Sequence, residues 1–289
     1  MPPPTLHLQD SLTQLTLAPG TGGAIANWSV TQNGQPLLRH ADEHALLAGT
    51  PRLLGCYPLA PWSNRITGGG FDNPEGWLAL QANAENSPLP IHGSAWQQPW
   101  QVVEHSESSA LLRLDSQVPF AYTAEQRFEL KDGLLSIRLQ VTHRADTPTW
   151  HGLGLHPYFP RTAHTRLQAR AEKVWQCDEN SLPTGLSDLP EQWNFQRERA
   201  LPSAHTDNAF IGWNGQARIV EPDAGYSLEI SSEQAIYLLF CPEGKPFFCF
   251  EPVSHAVNAH HQPGKPGLVL LHKNQSHSLT LNLRYQPLC

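Results

Sequence analysis

Twenty-six prolines and twenty-one glycines are spread through this 289-residue chain, and that punctuation leaves little room for long helices, because proline removes a backbone donor and glycine raises the entropic cost of ordering. Helices should be few and short. Strands fill the space instead. Leu135, Ile137, Leu139 and Val141 alternate with polar residues, as do Leu279, Leu281, Leu283 and Tyr285, which is the period of a half-buried strand. Lys131-Asp132-Gly133 supplies an Asp-Gly pair suited to the positive φ angles of a hairpin turn. A second hairpin is expected where residues 236–240 and 247–250, two apolar runs, flank Pro242-Glu243-Gly244-Lys245-Pro246. Residues 179–202 carry weak periodicity and several prolines and read as a long surface connection. No internal repeat or low-complexity tract interrupts the pattern. Many short strands joined by turns predict an all-β protein, two packed antiparallel sheets forming a large β-sandwich whose mouth or concave face is open to a ligand.

Composition narrows the function classes. All-β architectures often reach this length undivided, so one domain over residues 1–289 is expected. Apolar residues at 39% and charged residues at 16% describe an ordinary globular chain. No apolar run approaches the roughly 18 residues of a membrane span. The start, Met1-Pro2-Pro3-Pro4-Thr5, lacks the basic and apolar stretches of a secretory signal. A cytoplasmic protein without a membrane partner is expected. Cys56, Cys177, Cys241, Cys249 and Cys289 are odd in number and show no C-x-x-C spacing, so reduced thiols are expected and neither a disulfide framework nor a thiolate cage. A net charge of -7 argues against a broad phosphate-binding surface and hence against nucleic acid.

Several segments could carry chemistry. In a continuous strand through Trp150-His151-Gly152-Leu153-Gly154-Leu155-His156-Pro157-Tyr158-Phe159, Gly152, Gly154 and His156 would face one side. Stripped of bulk beside an imidazole, that face fits either a ligand lying over the strand or a bulge next to a satisfied histidine. Phe247-Phe248-Cys249-Phe250-Glu251-Pro252 puts a carboxylate at the end of an intensely apolar strand. Partial desolvation there would raise its basicity, although Glu251 could equally accept backbone N–H groups. Pro61-Trp62-Ser63-Asn64-Arg65-Ile66 offers a guanidinium for sugar hydroxyls, for a carboxylate ligand or for an acidic neighbour. Ile91-His92-Gly93-Ser94-Ala95-Trp96 joins a histidine to an aromatic plate, and Thr206-Asp207-Asn208-Ala209-Phe210 joins a carboxylate to a ring. His255, His260 and His261 lack the H-E-x-x-H spacing of a zinc site and read as solvated loop histidines, so no metal is expected. No P-loop follows Gly68-Gly69-Gly70, and no Gly-x-Ser-x-Gly elbow is present.

Taken in order, Asn64-Arg65-Ile66, His92-Gly93, His156-Pro157-Tyr158-Phe159, Asp207 with Phe210, and Glu251-Pro252 resemble the aldose 1-epimerase (galactose mutarotase) family across most of the chain. The resemblance implies the family's large antiparallel β-sandwich. It matches Glu251 to the catalytic base and His156 to the catalytic acid, with Asn64, Arg65, His92 and Asp207 lining a sugar pocket. The family's reaction interconverts the α and β anomers of a free aldose by opening and reclosing the pyranose ring. That chemistry needs one base for the anomeric hydroxyl proton and one acid for the ring oxygen, and it requires no cofactor.

Gly55-Cys56-Tyr57-Pro58-Leu59-Ala60-Pro61-Trp62-Ser63 departs from the glycine-containing lead-in of galactose-acting members, and the chain is shorter than many of them. It looks like a bacterial side branch, a monomer or homodimer acting on a small sugar. A hexose-6-phosphate 1-epimerase and a non-catalytic sugar sensor are the alternatives. For ring opening, Glu251 must be ionised and His156 protonated, so activity at neutral pH calls either for a site that favours imidazolium, through neighbouring carboxylates, or for a minority of correctly protonated enzyme.

Overall fold

The computed structural model describes residues 3–85 and 87–288. Met1, Pro2 and Cys289, used above in reading the N-terminus and the thiols, lie outside the described residues. Two large antiparallel sheets dominate. The nine-stranded sheet runs in the order Arg199–Ala200, Arg166–Ala169, Gln216–Glu221, Tyr226–Ser232, Ser276–Pro287, Leu134–His143, Tyr122–Lys131, Ser109–Ser116 and Gln101–His105. The eight-stranded sheet runs Pro183–Asp188, Lys173–Cys177, Thr206–Ile211, Ile236–Cys241, Phe247–Val253, Gly154–Leu155 and Pro58–Leu59, with Tyr158–Pro160 also pairing on Phe247–Val253. A three-stranded sheet, Leu6–Gln9, Thr13–Ala18 and Ala24–Val30, precedes them. The expected all-β sandwich is present, and the helices among the described residues are short: one α-helix, Glu43–Leu47, and single 3₁₀ turns. No helix among the described residues is long and apolar enough to cross a membrane.

The alternation read from the sequence is the alternation that builds the core. Leu135, Ile137 and Leu139 lie opposite Leu283, Leu281 and Leu279 on the neighbouring strand, and all six are fully buried. Asp132 and Gly133 take positive φ at the tip of the first hairpin. The second hairpin pairs Ile236–Cys241 with Phe247–Val253. Along its outgoing strand, Phe248 and Phe250 enter the main apolar cluster with the leucines of the nine-stranded sheet, whereas Cys249 and Val253 belong to a second cluster with Tyr57, Leu59 and Tyr158. Side chains alternate along a strand, so Glu251 shares the face of Cys249 and looks away from the main core.

Three local expectations are corrected. The strand continues to Val253, so Glu251 lies inside it rather than at its end. Residues 179–202 hold a strand, Pro183–Asp188, paired with Lys173–Cys177, and an edge strand, Arg199–Ala200. Half-buried edge strands bounded by prolines carry too few apolar residues to stand out in the sequence. Residues 149–160 form three short strands, Thr149–His151, Gly154–Leu155 and Tyr158–Pro160, in place of one. Their glycines make room for protein, not for ligand. A Cβ on Gly152 would stand 2.0 Å from His255 Cδ2, and one on Gly154 would stand 2.8 Å from Val253 Cγ1.

Gly152→Ala therefore forces the buried His255 ring out of place, and overpacking of this kind costs about 1–3 kcal/mol. Urea denaturation should show a lower midpoint with an unchanged slope. An unshifted midpoint would mean that the ring relocates freely.

Candidate active site

Four neighbouring strands lay the floor of a cavity of about 230 Å³. Asp207 lies opposite Phe240, Phe240 opposite Cys249, and Cys249 opposite Tyr158, while Glu251 is one step further along its strand, opposite Leu238. Asn64, Arg65, His92, His156, Asp207 and Glu251, separated by up to 187 positions in the chain, all line this one cavity.

Two loops close over the floor and are locked to each other. Asn64 donates its backbone N–H to His92 Nδ1 at 3.0 Å, and His92 returns its own N–H to the Asn64 carbonyl at 3.0 Å. Both residues hold positive φ, 57° and 63°, a strained region that surrounding contacts must enforce. Because His92 Nδ1 accepts, its ring proton resides on Nε2, and burial followed by the charge of His156 pulls its pKa well below 6.5. The Asn64 side chain accepts from the backbone N–H and the guanidinium of Arg65. That guanidinium also reaches Asp207 Oδ2 at 3.4 Å, so the acidic neighbour left open for Arg65 is a cavity residue.

The expected solvated histidine group is corrected: His255 and His260 are buried. His255 Nε2 accepts the Ser63 N–H at 3.0 Å and its Nδ1 donates to the Ala256 carbonyl, which pins the start of the loop that carries Asn64 and Arg65. His261 reaches the carbonyls of Thr67 and Gly70. His255 and His261 brace loops, whereas both ring nitrogens of His260 are buried without a partner, and among the described residues the three rings do not form a ligand set.

His156 Nε2 stands 3.3 Å from Glu251 Oε1, both side chains over nine-tenths buried. The imidazole is sandwiched between Tyr57 and Tyr158, each with a ring centroid 4.6 Å away. Beyond Tyr158, the Arg39 guanidinium sits 3.6 Å over that ring and donates to the carbonyls of Arg52 and Leu54. Burial first, and the Arg39 charge second, push His156 down to about 3. Burial and then Asp207 raise Glu251 well above the usual carboxylate range, against a smaller opposing pull from Arg65. Of the two routes to activity at neutral pH, these directions speak against a site that favours imidazolium and leave the minority protonation state. Both shifts run toward the neutral carboxyl and the neutral imidazole, because those forms avoid the cost of two buried charges.

Tyr57, Arg52, Ser87, Ile91 and Phe240 also line the cavity and were not singled out by motif. Arg39 and Tyr57 carry no local signal, since only the stacked rings give them a part.

The chain matches the Aldose 1-epimerase family over residues 5–284. The chain belongs to the aldose 1-epimerase family. YphB of Escherichia coli K12, an uncharacterized protein, is 33% identical over 277 residues, covering 92% of this chain and 93% of that protein. A crystal structure of an E. coli K12 protein provisionally described as an aldose 1-epimerase superposes with a TM-score of 0.92 at 31% identity, covering 99% of both chains. The GalM/aldose epimerase homologue of Caenorhabditis elegans has a TM-score of 0.84 over 99% of both chains, and at 17% identity it speaks for the fold alone. Glu251 and His156, to which the resemblance gave catalytic roles, both line the cavity on the eight-stranded sheet.

The stacked cation gives a measurable signature. His156 should titrate far below the ordinary histidine value of about 6.5 when followed by NMR of its ring protons. Arg39→Met should raise that pKa by removing the cation, and an unchanged value would show that Arg39 has no electrostatic hold on the ring.

Proposed function

We propose that the chain, acting as one β-sandwich domain, is an aldose 1-epimerase that interconverts the anomers of a free sugar, with Glu251 and His156 as its proton-transfer pair. The observation carrying this reading is the direct contact of a buried carboxyl with a buried imidazole at the floor of a cavity lined by hydrogen-bonding groups. With its proton on His156, the pair opens the ring: Glu251 takes the anomeric hydroxyl proton as His156 gives one to the ring oxygen and the C1–O5 bond breaks. The proton is then on Glu251. After rotation about C1–C2 presents the other carbonyl face, Glu251 returns a proton to O1 and His156 removes the one on O5, closing the ring as the other anomer. The reclosing half uses the protonation state that burial favours, and the opening half starts from the ion pair, reached by a shift across the 3.3 Å contact. Arg65, which pulls on the Glu251 charge in the stabilising sense, helps that shift. Asn64, Arg65, His92 and Asp207 orient the hydroxyls.

A sensor that only binds sugar has no use for a proton-transfer pair, whereas an epimerase depends on it. Glu251→Gln and His156→Ala should each lower anomeric exchange by about 10²- to 10⁴-fold, with the double variant losing far less than the product. Exchange measured by NMR against buffer controls checks this, and near wild-type turnover in either variant would reject that residue's role.

Neutral aldoses are the proposed substrates. A phosphate monoester brings about -1.5 to -2 charge and calls for several cations. Of the three arginines that could assemble around one, Arg65 faces Asp207, Arg161 donates to the Pro202 carbonyl away from the cavity lining, and Arg52 alone lines the cavity without a carboxylate partner among the described residues. Comparing kcat/KM for glucose and galactose with their 6-phosphates should favour the neutral sugars, and a preference of about tenfold for a phosphate, or roughly 1.4 kcal/mol, would reverse the assignment.

A further inference from the structure

The alternation that turns Glu251 toward the cavity turns Cys249 the same way, two residues earlier on the same strand. A ring nitrogen of His156, the Cys249 sulfur and a Glu251 carboxylate oxygen lie within 4.8 Å of one another, all three residues buried. Proton transfer as described above uses the histidine and the glutamate and leaves the thiol without a task. Glu251 Oε2 and His156 Nδ1 are buried with no hydrogen-bond partner, so both the carboxyl and the imidazole of this cluster are under-satisfied. One nitrogen, one thiolate and one carboxylate form a donor set suited to tetrahedral zinc, whose ligand atoms stand about 3.3–3.8 Å apart. The His156 to Glu251 separation of 3.3 Å already meets that spacing, and the sugar cavity provides both the route in and an open fourth position.

We propose that the floor of this cavity is an inhibitory site for a soft divalent cation of the Zn²⁺ class, held by His156, Cys249 and Glu251. The inhibitory part rests on the reading of Glu251 and His156 as the proton-transfer pair, while the binding part does not. Each bound ion takes the place of the Cys249 thiol proton and the Glu251 carboxyl proton, both released to solvent, with no change of oxidation state. It ties up the lone pairs needed for proton transfer and lies where the anomeric end of the sugar would be.

Cobalt reports the site without reference to activity. The purified chain should take up one equivalent of Co²⁺ with a thiolate-to-cobalt charge-transfer band, bleached by Zn²⁺ and by EDTA. Cys249→Ser and Cys249→Ala should lose the band yet keep anomeric exchange in metal-free buffer near the wild-type rate. Their Zn²⁺ inhibition constants should rise by about tenfold or more, since even outer-shell partners of a metal are worth about 10- to 100-fold in affinity. In the wild type, Zn²⁺ inhibition should be competitive with sugar. Absence of the band from the wild type, or its persistence in both Cys249 variants, overturns the site. A cobalt band in a chain with no anomeric exchange under any metal-free condition would retain the site and reject the epimerase reading instead.

Discussion

Phe248 and Phe250 are fully buried in the main core, while Glu251 lines the cavity and Cys249, on the same face of the strand, packs in the second apolar cluster. Burial of each phenylalanine is worth about 1.5–3 kcal/mol, and a slip of one residue would exchange the two faces, driving a carboxyl into the core and two rings into the cavity. The same parity governs the adjoining strands. Tyr237, Leu239 and Cys241 go to the core, and Leu238 packs on the other side. Phe210 goes inward while Asp207 faces the cavity. The apolar residues thus position the polar ones, and the cavity floor is the reverse side of the sandwich core.

On that floor two ionisable groups stand in contact, and burial drives both toward their neutral forms. Unpaired, a buried carboxylate or imidazolium would cost several kcal/mol. Placed in contact, Glu251 and His156 can be neutral together, and a proton passed from one to the other charges both. The tyrosines above and below the imidazole exclude water from both of its faces and hold it edge-on to the carboxyl. Arg39, anchored by backbone carbonyls of the segment that leads to Tyr57, closes the stack and adds a fixed positive charge that disfavours imidazolium.

The loops over the floor answer to a different constraint, namely that their backbone groups must find partners away from regular pairing. His92 and His255 do this for Asn64 and Ser63 as neutral acceptors. Gly152 lacks a side chain because the His255 ring occupies that space. A glycine for which the strand pattern left a ligand platform and a bulge beside a histidine both open is thus a packing concession to a loop-bracing histidine more than 100 residues away in sequence.

Period-two alternation and the density of proline and glycine determined the all-β class, the hairpins around residues 131–134 and 236–250, and the buried face of the two leucine-rich strands, because burial on one face of a strand writes itself directly into local order; that those two strands pair was decided by the tertiary structure. The ordered short motifs were enough to nominate six residues that line one cavity, since each keeps its chemistry in a recognisable neighbourhood. Which way the pair's two pKa values shift was decided only by the tertiary structure: desolvation depends on Tyr57, Tyr158 and Arg39, which come from separate segments and announce nothing locally. The proximity of Cys249 to the pair, the bracing work of His255 and the true reason for Gly152 were likewise settled only when distant strands and loops came within a few ångströms, a distance that no local pattern of residues encodes.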